Sequence, residues 1–245
     1  MRGILRTEAE KTVGKNIEQI FQHCPDSVEI KLENFPTYVR RQFLKRFLAL
    51  YELFKLVLPV KGSIVECGVH RGFGLMAFAK LSAMLEPENL TRRIYGFDTF
   101  EGFPEVSEKD HSSTARREAG QLAADSYNEL VQLIEEYDRD RFLGHISKVK
   151  LVRGNMTKTI PDFLSNHPHV VISLLFLDCD LYEPTKVAIE TFASRMPKGA
   201  VLAFDELDNP IWPGETLGLL ETLGIRHLRL ERLEWDPYIG YAVIE

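Results

Sequence analysis

Along the 245-residue chain, short runs of apolar residues alternate with stretches whose apolar positions recur at helical spacing. "SIVECGV" (63–69), "RRIYGFD" (92–98), "KVKLVRG" (148–154), "VVISLLFLD" (170–178), "GAVLAFD" (199–205), "HLRLERL" (227–233) and "YIGYAVIE" (238–245) read as strands, being short and rich in β-branched and aromatic residues. Residues 75–85, 125–138, 157–166, 184–195 and 214–223 read as the helices between them. Strand and helix in alternation predict an α/β fold, a doubly wound and mostly parallel sheet with helices on both faces. The last two strands have no helix between them, and "EWDPY" reads as a turn, so they are expected as an antiparallel C-terminal hairpin at one edge.

Upstream, residues 37–57 predict a helix whose apolar face includes Phe43, Phe47, Leu50, Phe54 and Val57, ended by Pro59. Residues 1–35 are polar and are expected to be irregular. The pattern therefore divides the chain into an N-terminal helical extension or cap (1–58) and a larger domain (59–245). Within the larger domain, residues about 104–147 lack strand character and form a long insertion, a candidate lid.

Composition narrows the class. Hydrophobic residues make up 44% and charged residues 27% of the chain, with a formal net charge of −6. That balance suits a globular protein and lacks the basic footprint of a nucleic-acid binder. The three cysteines, Cys24, Cys67 and Cys179, are too few and too scattered for a disulfide framework or a zinc ribbon. No signal-peptide core and no membrane-length apolar run is present, so a cytoplasmic protein with neither nucleic-acid nor membrane partner is expected.

Candidate chemistry concentrates at the ends of the strands. In open parallel sheets ligands bind outside the carboxyl ends of the strands, and here those ends read Glu66-Cys67-Gly68, Asp98, Gly154-Asn155, Asp178 and Asp205-Glu206. Gly68, Gly72 and Gly74 in "VECGVHRGFG" suit a tight strand-to-helix turn, though not at the spacing of the dinucleotide fingerprint. Asp98, followed by Thr99 and Phe100, places a carboxylate where it can accept hydrogen bonds from the two hydroxyls of a ribose. "LLFLDCDLYEPTK" and "VLAFDELDNP" each run an apolar segment into carboxylates, an arrangement a buried strand avoids unless a cation or a proton is to be handled there.

The segments "IVECGVHRGFG", "GFDTFEGFP", "NMTKTIP", "FLDCDLYEPTK" and "PKGAVLAFDEL" together resemble the macrocin O-methyltransferase family, over roughly residues 60–220 and in the family's order. The resemblance implies a Rossmann-like class I methyltransferase fold, S-adenosyl-L-methionine (SAM) as cofactor, and Mg2+ or another divalent cation. It implies O-methylation of a sugar or glycosylated natural product. Carried over by position, Glu66, Cys67, Gly68, Arg71 and Gly72 fall in the SAM turn, Asp98 falls on the ribose, and Thr99, Phe100, Gly154, Asn155 and Asp178 fall along the cofactor. Asp178, Asp205 and Glu206 fall on the metal, and Asp180 falls where a general base stands beside Asp178. The family usually carries paired aspartates where this chain has Asp205-Glu206, and often tryptophan at the place of His70. His111, in the candidate lid, is an alternative base. A catechol-like diol is an alternative acceptor, and a SAM-binding module without catalysis is an alternative function. A homo-oligomer is also expected from the resemblance.

Overall fold

The computed structural model describes residues 7–245, and the chain divides into two compact units, 1–48 and 49–245. The part of the N-terminal reading that falls on residues 1–6 lies outside the described residues.

The first unit is helical where irregular chain was expected. It contains α1 (Glu8–His23), α2 (Val28–Glu33) and α3 (Phe35–Tyr38). The start of α1 is specified locally: the Glu10 amide donates to Thr7 Oγ1 at 3.2 Å, and the Thr7 amide donates to Glu10 Oε2 at 2.8 Å, a reciprocal capping box. None of the residues of α1 is buried, yet Val13, Ile17, Ile20 and Phe21 recur along it at helical spacing, a signal that the otherwise polar composition of the segment outweighs. The helix α4 runs over Arg41–Val57 and contains the boundary between the units. It starts later than expected because Val39 is extended (φ −77°, ψ 130°) and ends α3.

The second unit is built on seven strands in the order β3-β2-β1-β4-β5-β7-β6. These are β1 (Ser63–Cys67), β2 (Ile94–Asp98), β3 (Val149–Arg153), β4 (Ile172–Leu177), β5 (Val201–Phe204), β6 (Glu231–Leu233) and β7 (Asp236–Val243). The first five pair in parallel, and β7 runs antiparallel to both β5 and β6. The expected C-terminal hairpin is present, with its first strand confined to 231–233. Helices α5 (Phe73–Leu85), α6 (Tyr127–Asp140), α7 (Met156–Asn166), α8 (Tyr182–Phe192) and α9 (Gly214–Glu221) connect the strands.

β1 and β4 are buried along their whole length, as central parallel strands covered on both faces must be. Aromatic side chains from helices and strands meet edge to face above and below them, with ring centroids 5.8 Å apart for Phe78–Phe176 and 5.2 Å for Phe97–Phe163. After β1 the chain winds outward through β2 and β3, then returns to the other side of β1 through β4 and β5. That reversal opens a crevice above the carboxyl ends of β1 and β4, the place where such sheets receive ligands. The insertion between β2 and β3 contains α6 and a short 3-10 turn, Glu108–Asp110. Among the described residues no helix is long and apolar enough to cross a membrane.

Candidate active site

The turn after β1 is shaped by close approach. Gly68 has φ +97°, and a Cβ there would lie 1.9 Å from the carbonyl oxygen of Asp178. Only glycine lets the exits of β1 and β4 come so near. Gly72 (φ +82°) then starts α5.

Asp98, the last residue of β2, braces this turn. Its Oδ2 accepts from the His70 amide at 2.7 Å, and its Oδ1 accepts from the Phe100 amide at 2.6 Å. Phe100 takes φ +59° to make the second bond, and its ring packs edge to face on Tyr127 at 5.2 Å. A carboxylate offers about four acceptor sites, so each oxygen, with one backbone bond, keeps capacity for a ligand hydroxyl.

One cavity of about 410 Å³ lies above these strands. It brings together Gly68, Asp98 and Thr99 from the first two strand ends, Asn155 after β3, and Asp178 and Asp180 after β4. Phe103 and Leu122 of the insertion also line it, with His70, Met156 and Cys179. Glu66, Cys67, Phe100 and Asp205 are buried and do not line it, and neither do Arg71, Gly72, Gly154 and Glu206. Burial pushes the Cys67 thiol up, with Glu66 and Glu215 adding to the shift, so this cysteine is a packing residue and not a nucleophile.

At the exit of β4 the backbone turns sharply. The Asp178 amide still belongs to the sheet, donating to Cys67 O at 2.8 Å. Asp180 then adopts φ +61°, and the Leu181 amide closes on Cys179 O at 2.7 Å, a γ-turn of the rare positive-φ kind. Two buried carboxylates hold it. Glu215 Oε1 accepts from the Asp180 amide at 3.1 Å and its Oε2 from the Glu206 amide at 3.0 Å, while Asp110 Oδ1 accepts from the Tyr182 amide at 2.6 Å. Burial raises the Glu215 pKa well above the ordinary value; Asp180 and Asp205 push the same way, and the two amide donors push back.

Neither Glu215 nor Asp110 stood out in the sequence. For Asp110 a signal exists: "SEKD" is a capping box, with Asp110 Oδ2 accepting from the Ser107 amide at 2.7 Å. For Glu215 the signal is only its place between Gly214 and the apolar face of α9.

Asp178, Asp205 and Glu206 offer the hard oxygen donors that magnesium prefers. The donor chemistry fits such an ion, but among the described residues no three His, Cys, Asp or Glu side chains are grouped closely enough to hold one. Glu206 Oε2 instead accepts from Asn209 Nδ2. A cation of the chain stands nearby: Arg117, from the insertion, lies 3.4 Å over the Trp212 ring. Burial lowers its pKa, while Asp180, Glu206 and Asp110 act in the opposite direction. His111, the alternative base, uses Nδ1 to accept from the Arg117 amide at 3.2 Å and does not line the cavity.

A parallel sheet in the order 3-2-1-4-5 with an antiparallel β7 beside β5, and a cavity over β1, β2 and β4, defines a Rossmann-like class I methyltransferase fold. Residues 41–212 match the macrocin-O-methyltransferase (TylF) family, and the chain belongs to it. A crystal structure of CalS11, a calicheamicin methyltransferase, superposes with a TM-score of 0.92 at 35% identity, covering 98% of this chain and 94% of that one. The apo structure of CalS11, described as a TDP-rhamnose 3'-O-methyltransferase, gives 0.85 at 32% identity, covering 98% and 96%. A tetracenomycin-C 4'-O-methyltransferase of Streptomyces olivaceus, whose name places a dimethoxy-rhamnosyl group on the scaffold, is 30% identical over 166 residues. That match covers 66% of this chain and 60% of the relative, less than two thirds of its length.

Proposed function

We propose that the protein is a SAM-dependent O-methyltransferase acting on a hydroxyl of a sugar or glycosylated natural product. The observation that carries this reading is the single cavity joining Asp98 at one end of the rim to Asp178 and Asp180 at the other. The sugar-acting relatives support the acceptor class.

When bound, SAM would supply a methyl group activated by its sulfonium sulfur, with S-adenosylhomocysteine, a neutral thioether, as the leaving group. Asp98, already held by two backbone amides, orients the ribose through its remaining acceptor sites. Gly68 keeps the β1 exit low enough for the cofactor to pass over the backbone. Phe103 and Leu122 cover the cavity from the insertion and limit water at the reacting end. Asp180 accepts the hydroxyl proton as the carbon–oxygen bond forms and the carbon–sulfur bond breaks, a positioned base contributing about 10²–10⁴-fold.

A divalent cation is part of the proposal. Asp178, Asp205 and Glu206 carry the oxygen donors that would hold it, drawn closer together than they stand in this structure, and its chemistry when bound would be to stabilise the developing alkoxide. We also propose a homo-oligomer: α1 buries none of its residues in the chain's own fold, and Ile20 on it is 62% exposed. Light scattering of the purified protein tests this, and a monomer at micromolar concentration would refute it.

The function is tested by titrating S-adenosylhomocysteine (SAH) calorimetrically, then supplying SAM with nucleotide-linked deoxyhexoses, rhamnosides and catechols. Binding of SAH with methylation of a sugar hydroxyl is the expected result. Methylation of catechols alone would replace the acceptor, and binding without any transfer would reduce the protein to a SAM-binding module.

A further inference from the structure

We infer that Glu215 is a positioning residue that sets the direction of the Asp180 carboxylate. The inference rests on the proposed role of Asp180 as the base and goes beyond it, since Glu215 belongs to neither the cavity lining nor the metal set. Asp180 sits at φ +61°, a conformation that non-glycine residues adopt only when the surroundings over-determine it. Its own amide points into the protein, to Glu215 Oε1 at 3.1 Å, and the other oxygen of the same carboxylate takes the Glu206 amide at 3.0 Å. One fully buried side chain at the start of α9 thus ties the exit of β4 to the exit of β5.

The surroundings are built for this clamp. A Cβ on Gly214 would come within 2.6 Å of both Asp180 O and Tyr182 N, so only glycine lets the start of α9 lie against the turn. Asp110 secures the far side of the same turn through the Tyr182 amide at 2.6 Å. If the position served packing alone, an apolar side chain would fill it without the cost of burying a carboxylate. Holding two amides from different loops needs two acceptor oxygens on one rigid group. Glutamine cannot substitute, because its NH2 donates and cannot accept from an N–H.

The test is a double-mutant cycle in steady-state kinetics with SAM and acceptor, using Glu215→Gln, Asp180→Asn and the combination. Glu215→Gln is expected to lower kcat about 10²-fold, the scale set by a small misplacement of a reacting group. The KM for SAM should stay within about twofold, as expected when only transition-state contacts are lost. In the Asp180→Asn background Glu215→Gln should cost nothing further in kcat, because its effect passes through Asp180. A crystal structure of Glu215→Gln should show Asp180 leaving the positive-φ region. If Glu215→Gln does not fold, Glu215→Asp keeps the carboxyl group but cannot span both amides, and should give the same pattern. Multiplicative losses in the double variant, a parallel rise in the KM for SAM, or an unchanged Asp180 turn in the crystal would each overturn the inference. If the wild-type protein methylates no acceptor, the proposed function fails, and the crystal structure alone decides the role of Glu215.

Discussion

Replacing Asp98 with alanine removes the group on which cofactor recognition is expected to turn, and its consequences divide into two parts of different size. In the folded protein without cofactor, the carboxylate accepts from the His70 and Phe100 amides. The His70 bond is exposed, so water takes over there, whereas the Phe100 amide is partly buried and loses its acceptor at a cost of about 1 kcal/mol. For a chain of this length that lowers Tm by roughly 2–4 °C. The loss in cofactor binding is larger. Two ribose hydroxyls donating to a carboxylate contribute about 1.5 kcal/mol each at the low end for charged acceptors, or about 3 kcal/mol together. At about 1.4 kcal/mol per tenfold, the Kd for SAH should rise about 10²-fold. Calorimetry gives the Kd and a thermal melt gives the stability, so the two parts are read separately. An analogue lacking the ribose 2'-hydroxyl adds a control: it should bind the wild type more weakly than SAH does, and the variant no more weakly than SAH does. A variant that binds SAH within about twofold of wild type would refute the placement of the ribose at Asp98.

Asp178→Asn should weaken magnesium binding and raise the magnesium concentration needed for half-maximal turnover, while Asp180→Asn lowers the maximal rate at little-changed metal affinity, measured by magnesium titration at saturating SAM and acceptor. Full activity in EDTA would exclude the metal. Gly68→Ala puts a Cβ 1.9 Å from Asp178 O and should abolish SAH binding while destabilising the fold by several kcal/mol, from strain at φ +97° and overpacking; a variant that melts and binds like wild type would refute the close approach. Lys148, with Nζ donating to Asn89 O at 2.8 Å, is buried, and burial lowers its pKa from 10.5 to about 8. Between pH 8 and 10.5 the unfolded chain therefore holds more of this proton than the folded one, and this group's contribution to stability rises with pH, by a few kcal/mol in all. Denaturant titrations of wild type and Lys148→Met across that range should converge or diverge with that sign, wild type gaining relative to the variant; an unchanged difference would mean that Lys148 titrates normally.

The periodicity of 63–245 was enough to read the alternating sheet and the antiparallel hairpin, because central parallel strands are almost wholly apolar and their connecting helices are amphipathic. It was enough to place Gly68, Asp98, Asp178 and Asp180 on one rim, since strand ends of a doubly wound sheet share a side whatever their separation in the chain. The N-terminal helices were missed for the complementary reason. α1 has a capping box around Thr7 and Glu10 and carries Val13, Ile17, Ile20 and Phe21 at helical spacing, but these few apolar residues stand among many polar and charged ones, and the polar composition of the segment masks the periodicity.

Tertiary structure alone decided how the rim is held. The sequence separates Asp180 from Glu215 by 35 residues and Asp110 from Tyr182 by 72, and the bonds between them join side-chain oxygens to backbone amides. Any residue except proline carries such an amide, so no residue type on the accepting turn could have announced the pairing. Likewise Gly68 reads as a turn glycine in sequence, and only the packing of β1 against β4 shows that it faces the Asp178 carbonyl. Residue types carry the local preferences for strand, helix and cap. The positive-φ turn at Asp180 is set by long-range contacts, and these exist only once the elements have packed.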